Sequence, residues 1–117
     1  DVFLVTGSPG GNSIVGYVSK SLLAVLDWNR SAQEAASLPN IIARGPTVSV
    51  ETADDTGRNW ARLLAGAGFT VREVSGENSG LHLIVARERN LEGGADPRRE
   101  GVAIQIERPG AARALPR

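Results

Sequence analysis

Val5-Thr-Gly-Ser-Pro-Gly-Gly-Asn12 joins an apolar run, Val2 to Val5, to a long segment with helical periodicity. Pro9 has no backbone N–H, so the first free donors after it are those of Gly10 and Gly11. Glycine has no Cβ, and its backbone can approach a bound group closely. Because unpaired N–H groups at a helix start favour negative charge, we expect an anion, or a group that becomes anionic, at this turn.

The segments on either side of this turn predict a strand and a helix. A short apolar run bounded by Gly and Pro favours a buried strand at Val2 to Val5. Asn12 to Trp28 has apolar residues at helical spacing, and Asn12 or Ser13 can cap its start. We therefore expect this helix to lie in the core. The stripe predicted to face the interior consists of Ile14, Val15, Val18, Leu22, Val25 and Leu26.

The middle of the chain predicts two further helices with extended segments between them. Ser31-Ala-Gln-Glu34 has the form of a capping box and predicts a short helix over 31–37. Alternating apolar residues over 41–50, interrupted by Gly and Pro, predict two extended segments joined by a turn. A third helix is predicted between Asp54 and Gly68.

The last third of the chain alternates apolar and polar residues. Residues 69–74 and 81–86 predict two strands, which we expect to share one antiparallel sheet. The Gly, Pro and charge content of 90–101 is typical of a loop. Val102, Ile104 and Ile106 then predict a third strand.

Composition limits the chain to one domain. Its 117 residues are enough for a single core, which we expect over 1–107, and the Pro, Gly, Ala and Arg content of 108–117 predicts a flexible tail. Thirteen basic and thirteen acidic residues cancel, which argues against a nucleic-acid partner or an anionic membrane surface. No apolar run approaches the roughly 20 residues of a membrane span. Because Asp1 directly precedes a predicted strand, we expect the chain to be a piece of a larger protein.

Other chemistries fit the sequence less well. The turn lacks the lysine of a phosphate-binding P-loop, and its glycines do not have dinucleotide-binding spacing. His82 is the single histidine, and with no cysteine in the chain a structural role is favoured over metal binding or base catalysis. Trp28 and Trp60 are spaced like core anchors. We expect no cofactor and no metal, and the glycine pair taken alone is equally compatible with tight packing.

The run Asp96-Pro-Arg-Arg-Glu100 combines a turn with mixed charges. Asp96 before a proline can accept local backbone donors, and Arg98 can pair with a buried carboxylate. We therefore expect a fixed structural corner here rather than a catalytic group.

Three blocks of the sequence together resemble the C-terminal part of the small subunit of gamma-glutamyltranspeptidases. The first is residues 5–11 followed by Ile14, and the second is Gln33-Glu-Ala35 with Pro39. The third is Gly93-Gly-Ala-Asp-Pro-Arg98 with Gly101. Their order and spacing fit the family over about residues 1–107.

This resemblance implies an N-terminal-nucleophile hydrolase, in which a threonine at the start of the small subunit is the nucleophile and its amine the base. The implied fold class is α+β, as part of an αββα sandwich with a mainly antiparallel sheet and about three helices. This chain is expected to begin after the threonine, so that it is inactive alone and requires the remaining large- and small-subunit segments. Exported bacterial relatives imply a periplasmic or extracellular location.

Residue by residue, Gly10 and Gly11 match the glycine pair whose amides form the oxyanion hole. Ser8 and Asn12 flank this pair and are expected to contact a small gamma-glutamyl substrate of the glutathione type. Asp96 and Arg98 match a terminal motif that we interpret as structural.

Two departures from the family pattern keep other functions open. Asn12 replaces a usual serine, and Asn40 replaces a usual arginine, so an acylase of the same superfamily with another amide substrate fits as well. A non-catalytic interaction or structural domain is the third interpretation. Its apolar strands at 2–5 and 81–85 would then predict a dimer of the isolated chain.

Overall fold

The computed structural model describes residues 2–105. These residues form two three-stranded sheets and three α-helices, with a 3₁₀ turn at Gly11–Ser13. The elements in chain order are β1 (Leu4–Gly7), α1 (Ile14–Leu26), α2 (Ala32–Ser37), β2 (Ile41–Arg44), β3 (Thr47–Glu51), α3 (Asp55–Gly66), β4 (Thr70–Val74), β5 (His82–Ala86) and β6 (Leu91–Ala95).

The two sheets are built differently. The first has the order β1-β5-β6 with both pairings antiparallel. The second has the order β2-β3-β4, in which β2 and β3 form an antiparallel hairpin and β3 and β4 are parallel. Three of these four pairings are antiparallel, so the predicted α+β class with a mainly antiparallel arrangement and about three helices is confirmed.

The prediction that residues 69–74 and 81–86 share one sheet is wrong. β4 pairs with β3, in register from Thr47 opposite Thr70, whereas β5 pairs with β1 and β6. The cause is α3, which connects β3 to β4 as a crossover and brings the chain back in the same direction. Alternation alone identifies a strand but not its neighbour.

Helix α1 lies in the core as predicted, but on a different face. Val15 and Leu26 are 75% and 57% exposed, whereas Tyr17 and Lys20 are buried. The close contact of Gly16 with β2 sets this rotation, because a Cβ at Gly16 would lie 2.4 Å from Cδ1 of Ile42. The other members of the buried cluster are mainly small or aliphatic residues of α1, α2 and the region of β5: Ala24, Val25, Ala32, Ala35, Ala36, Ile42, Leu81, Leu83 and Val85.

Two strand predictions need correction. The first strand begins at Leu4 instead of Val2 and lies at a sheet edge, where Val5 is 58% exposed, so it is not buried. The loop predicted over 90–101 contains β6, and no strand occurs over 101–105, where Val102 and Ile104 are exposed. Ile106 and the tail predicted over 108–117 lie outside the described residues.

The short-range predictions in the middle of the chain are confirmed. Ser31 and Glu34 form both hydrogen bonds of the capping box at the start of α2. Asp54 caps α3 by accepting a 2.8 Å hydrogen bond from the N–H of Gly57. Trp28 is not the predicted core anchor, because it follows the end of α1 and is 45% exposed. Its ring packs against that of Trp60, with 5.9 Å between the ring centroids.

Over residues 2–105, no helix is both long and apolar enough to cross a membrane.

Candidate active site

The glycine turn, defined here as residues 8–12, presents two adjacent glycines with positive φ. Gly10 has φ 139° and Gly11 has φ 57°, a region that residues with a Cβ rarely adopt. Gly11 begins the 3₁₀ turn, which is closed by a 3.1 Å hydrogen bond from the N–H of Ser13 to the carbonyl of Gly10. Within residues 2–105, neither loop carbonyls nor side chains accept a hydrogen bond from the amides of the two glycines.

Tyr17 packs directly against this turn from below. A Cβ at Gly10 would lie 2.5 Å from Cε2 of the tyrosine ring, whose side chain is almost fully buried. A Cβ at Gly11 would meet nothing within 4 Å. Glycine is therefore required at position 10 by both backbone and space, and at position 11 by the backbone alone.

A polar network holds Tyr17 and the 3₁₀ turn together. The Tyr17 hydroxyl donates to Oε2 of Glu77 at 3.0 Å. The guanidinium of Arg44 donates to both oxygens of Glu77 at 2.9 and 3.1 Å and to Oγ of Ser13 at 2.8 Å. These contacts with Arg44 hold the pKa of Glu77 below its ordinary value, and burial together with Glu77 raises the pKa of Tyr17. Glu77 is thus an ionised acceptor at neutral pH.

Ser8 and Asn12, the predicted substrate contacts, lie at the two ends of the turn. The Ser8 hydroxyl donates to the carbonyl of Pro9 at 2.7 Å and accepts from the N–H of Gly80 at 2.9 Å. Ser8 therefore ties the turn to the segment before β5. Asn12 is exposed on the outer side of the turn, next to Gly11.

Asp96 and Arg98 belong to a second, buried cluster. Asp96 has no exposed surface, and its Oδ2 accepts from the hydroxyl of Ser79 and from the N–H of Leu81, the latter at 3.1 Å. Its Oδ1 accepts from the backbone N–H of Arg98 at 3.0 Å and from the guanidinium at 2.9 Å. Burial alone would raise the pKa of Asp96, but these donors outweigh it and the pKa lies below its ordinary value.

Arg98 joins this aspartate to Glu51 at the end of β3. Its guanidinium forms a bidentate pair with Glu51, with Nε at 2.9 Å from Oε1, and donates to the carbonyls of Ala36 and Leu38 at 3.2 and 3.0 Å. Glu51 is 5% exposed, so the expected pairing of Arg98 with a buried carboxylate is present. Burial would raise the pKa of Glu51, but the hydrogen bonds and charge of Arg98, together with the backbone N–H donors of Asn40 and Glu77, outweigh burial and lower the pKa.

Two further buried polar residues complete the cluster. The ammonium of Lys20 donates to the carbonyl of Leu38 at 2.9 Å, and burial followed by the charge of Arg98 lowers its pKa to about 8. Asn40 is fully buried and donates through Nδ2 to Glu51 at 3.1 Å and to Ser79 at 2.9 Å.

The two clusters are connected through one peptide group. The N–H of Glu77 donates to Oε1 of Glu51 at 2.8 Å. The backbone of Glu77 therefore belongs to the buried cluster, while its side chain holds the glycine turn.

The rest of the described chain offers few other candidate sites. The part of the chain that the structure describes contains no group of three or more His, Asp or Glu residues placed to hold a metal. His82 is exposed on β5, with Nδ1 3.0 Å from the carbonyl of Gly80. An open cleft of about 330 Å³ lies elsewhere, lined by Trp28, Arg30, Leu38, Thr56 and Trp60.

Comparison with known proteins decides the family. The sequence profile described as gamma-glutamyltranspeptidase matches residues 1–106. This chain belongs to the gamma-glutamyltranspeptidase family. The three sequence blocks therefore predicted the family correctly. A search of curated proteins finds no match.

Solved structures give the same fold. Gamma-glutamyltranspeptidase from Pseudomonas nitroreducens, complexed with L-DON, matches 91% of this chain and 56% of its own chain, with 23% identity and a TM-score of 0.74. A mutant of the Helicobacter pylori gamma-glutamyltranspeptidase matches 85% of this chain and 55% of its own, with 24% identity and a TM-score of 0.69. Cephalosporin acylase from Bacillus halodurans matches 87% of this chain and 20% of its own, with 22% identity and a TM-score of 0.74.

The chain thus spans little more than half the length of the transpeptidases that it resembles. Its fold is that of part of an N-terminal-nucleophile hydrolase, as the family resemblance implies.

Three side chains that support the glycine turn are not predicted from the sequence. Tyr17 is the single tyrosine in the chain and lies two helical turns after Gly10, which was the one available signal. Arg44 and Glu77 lie outside every motif, at the end of β2 and between β4 and β5. Their partnership with Tyr17 depends on the fold and has no local pattern.

Proposed function

We propose that the intact protein transfers or hydrolyses gamma-glutamyl groups from glutathione-like donors, and that Gly10 and Gly11 of this chain supply the oxyanion-hole amides. The reaction forms an acyl-enzyme on an N-terminal threonine, which a segment other than residues 1–117 provides. Membership of the gamma-glutamyltranspeptidase family supports the enzyme class. The proposed location is the periplasm or the cell exterior.

The observation that carries the proposal is the pair of amides at the glycine turn. Attack on the gamma-glutamyl carbonyl moves an electron pair onto its oxygen, which then needs preorganised donors. Gly10 and Gly11 have the positive φ angles of a fixed turn, and no acceptor within residues 2–105 occupies their N–H groups. Loss of one such donor typically raises the barrier by about 3 kcal/mol.

The neighbouring residues take supporting roles in this proposal. Ser8 and Asn12 flank the amides, with Asn12 contacting the donor substrate from the exposed side and Ser8 from the base of the turn. Asp96 and Arg98 are structural, because all their described contacts are with protein groups inside the buried cluster.

Gly11→Ala in the full-length protein tests the oxyanion role. The new Cβ meets nothing within 4 Å, but φ of 57° is unfavourable for alanine, so the turn must relax and misdirect its amides. We expect kcat for a gamma-glutamyl anilide to fall about 100-fold or more, with a smaller change in KM.

Gly68→Ala is the matched control for backbone strain. Gly68 has φ 97°, and a Cβ there also meets nothing within 4 Å, but it lies between α3 and β4. We expect the control to lose stability through the same kind of strain and to keep its kcat. Equal kcat values for Gly11→Ala and Gly68→Ala would contradict the proposal.

A second candidate is an acylase that uses the same fold on another amide. The structural likeness to cephalosporin acylase and the presence of Asn12 in place of the usual serine support this candidate. Assays of the full-length protein with gamma-glutamyl and glutaryl anilides separate the two, since only a gamma-glutamyl enzyme requires the alpha-amino group. Faster release from the glutaryl anilide would favour the acylase.

A third candidate is a non-catalytic domain. We expect no turnover by residues 1–117 alone and clear turnover by the full-length protein. If the full-length protein is inactive on both anilides and the isolated chain sediments as a dimer, these results would support the non-catalytic function.

A further inference from the structure

The glycine turn is held by a closed circuit of contacts that no motif includes. The loop clamp, defined by Ser13, Tyr17, Arg44 and Glu77, begins and ends at Gly10. The ring of Tyr17 packs against Gly10, its hydroxyl binds Glu77, and Glu77 binds Arg44. Arg44 binds the side chain of Ser13, whose backbone N–H returns to the carbonyl of Gly10.

The clamp joins parts of the chain that are far apart in sequence. The bond from Arg44 to Ser13 spans 31 positions, that from Arg44 to Glu77 spans 33, and that from Tyr17 to Glu77 spans 60. Three of its members are well shielded, since Tyr17 is 2% exposed, Ser13 is 8% exposed and the Glu77 side chain is 10% exposed. A bidentate arginine-carboxylate pair fixes geometry as well as charge.

We infer that Glu77 is a positioning residue for the two oxyanion-hole amides, acting through Tyr17 on one side of the turn and through Arg44 and Ser13 on the other. This inference rests on the proposed function of the glycine pair. One arm packs against Gly10 itself, and the other ends at the carbonyl of Gly10, which belongs to the same peptide unit as the Gly11 N–H. Loss of either arm lets this unit rotate, which a preorganised donor cannot tolerate.

The test uses the full-length protein and a gamma-glutamyl anilide. We expect Glu77→Gln and Arg44→Met to lower kcat about tenfold or more while KM changes less than about twofold, because small displacements of positioned groups cost rate before binding. Arg44→Lys should have a higher kcat than Arg44→Met, since lysine keeps the positive charge but not the bidentate geometry of the guanidinium. Tyr17→Phe keeps the ring against Gly10 and removes only the bond to Glu77, so its loss should be smaller than that of Glu77→Gln.

Glu34→Gln is the matched control. It makes the same chemical change in another Arg-Glu pair, with Arg30 at 3.3 Å, and glutamine still serves a capping box. We expect its kcat and KM to equal those of the wild type. The side chain of Arg44 is 40% exposed, so we expect Arg44→Met to fold. It therefore tests the same contacts if Glu77→Gln fails to fold.

The outcomes separate this inference from the proposed function. If Gly11→Ala loses activity but Glu77→Gln, Arg44→Met and Tyr17→Phe keep wild-type kcat, the positioning role is wrong and the oxyanion role stands. If Gly11→Ala is as active as Gly68→Ala, the proposed function itself is wrong. A loss that Arg44→Lys does not relieve, together with a parallel rise in KM, would indicate a general structural role and overturn the inference.

Discussion

At the scale of single residues, Lys20 has the most unusual environment. It is the only lysine in the chain and is 5% exposed, with its ammonium on the carbonyl of Leu38. Arg98 binds the same carbonyl, so two cations converge on one oxygen. The nearby charges of Asp96 and Glu51 favour the ammonium but do not offset burial, and the pKa of Lys20 is lowered to about 8.

This environment predicts an alkaline rise in stability. The folded pKa of about 8 lies below the ordinary 10.5, so between these values the unfolded chain keeps a proton that the folded chain has released. The free energy of unfolding contributed by Lys20 therefore rises from pH 8 to 10.5, by up to about 3 kcal/mol. Denaturant unfolding of the wild type and of Lys20→Met over this range checks it. Parallel curves for the two proteins would contradict the prediction.

The residues of the candidate site form two groups. Some act on their neighbours in the sequence, and others contact partners that are far away along the chain. The turn itself can be predicted from the sequence, because Pro9 and the two glycines with positive φ act locally. The clamp was not predicted, because Tyr17, Arg44 and Glu77 meet only after two sheets and α1 have formed. Hydrophobic periodicity does not identify Tyr17 for a further reason. Its face of α1 is rich in polar residues such as Lys20, which this pattern assigns to solvent.

At the scale of elements, predictions succeeded where the signal was short-range. The capping box of α2 and the hairpin of β2 and β3 are each specified within about ten residues. Strand β6 was missed because its sequence, Leu-Glu-Gly-Gly-Ala, has low strand propensity. This segment is a strand because it pairs with β5. Its glycines allow neighbouring backbone to pack closely against it. A Cβ at Gly94 would lie 2.4 Å from the carbonyl oxygen of Ala32 in α2.

Gly94→Ala therefore tests how α2 sits on β6. The methyl group would press on the backbone at the start of α2, and we expect a loss of about 2 kcal/mol or more in the free energy of unfolding. Gly7→Ala is the matched control, since Gly7 lies on β1 of the same sheet and a Cβ there meets nothing within 4 Å. Its stability should stay within about 1 kcal/mol of the wild type. Equal losses in the two variants would show that α2 can move away at little cost.

At the scale of the whole molecule, Arg98 connects the two sheets. It follows β6 of the first sheet and binds Glu51 at the end of β3 in the second, with Asp96 on its own side. The sequence predicted the ion pair but not this connection, because Glu51 carries no motif and its partner strand was assigned to the wrong sheet. Removing one member of a buried ion pair typically costs about 3 to 5 kcal/mol, since the remaining charge loses its partner.

Arg98→Met should consequently unfold far more easily than Arg99→Met. Arg99 is the neighbouring arginine and is exposed, with its guanidinium on the carbonyls of Asn78 and Ser79, so its loss should cost about 1 kcal/mol. Denaturant unfolding at pH 7 measures both. Similar losses would argue that the pairing of Arg98 with Glu51 contributes little to joining the sheets.

The pH dependence of Arg98→Met carries the sharper prediction. In the wild type the pKa values of Glu51 and Asp96 are lowered despite burial, so their contribution is present above the ordinary values of 4.5 and 3.8 and is lost as pH falls through the folded pKa values. Without Arg98, burial acts with less opposition and raises the pKa of Glu51, so this variant takes up a proton on folding and becomes less stable as pH rises from 4 to 7. The gap between the wild type and Arg98→Met should therefore be widest at neutral pH and shrink towards pH 4, whereas the gap for Arg99→Met should not change. A gap for Arg98→Met that is constant from pH 4 to 7 would mean that Glu51 does not depend on this arginine for its charge.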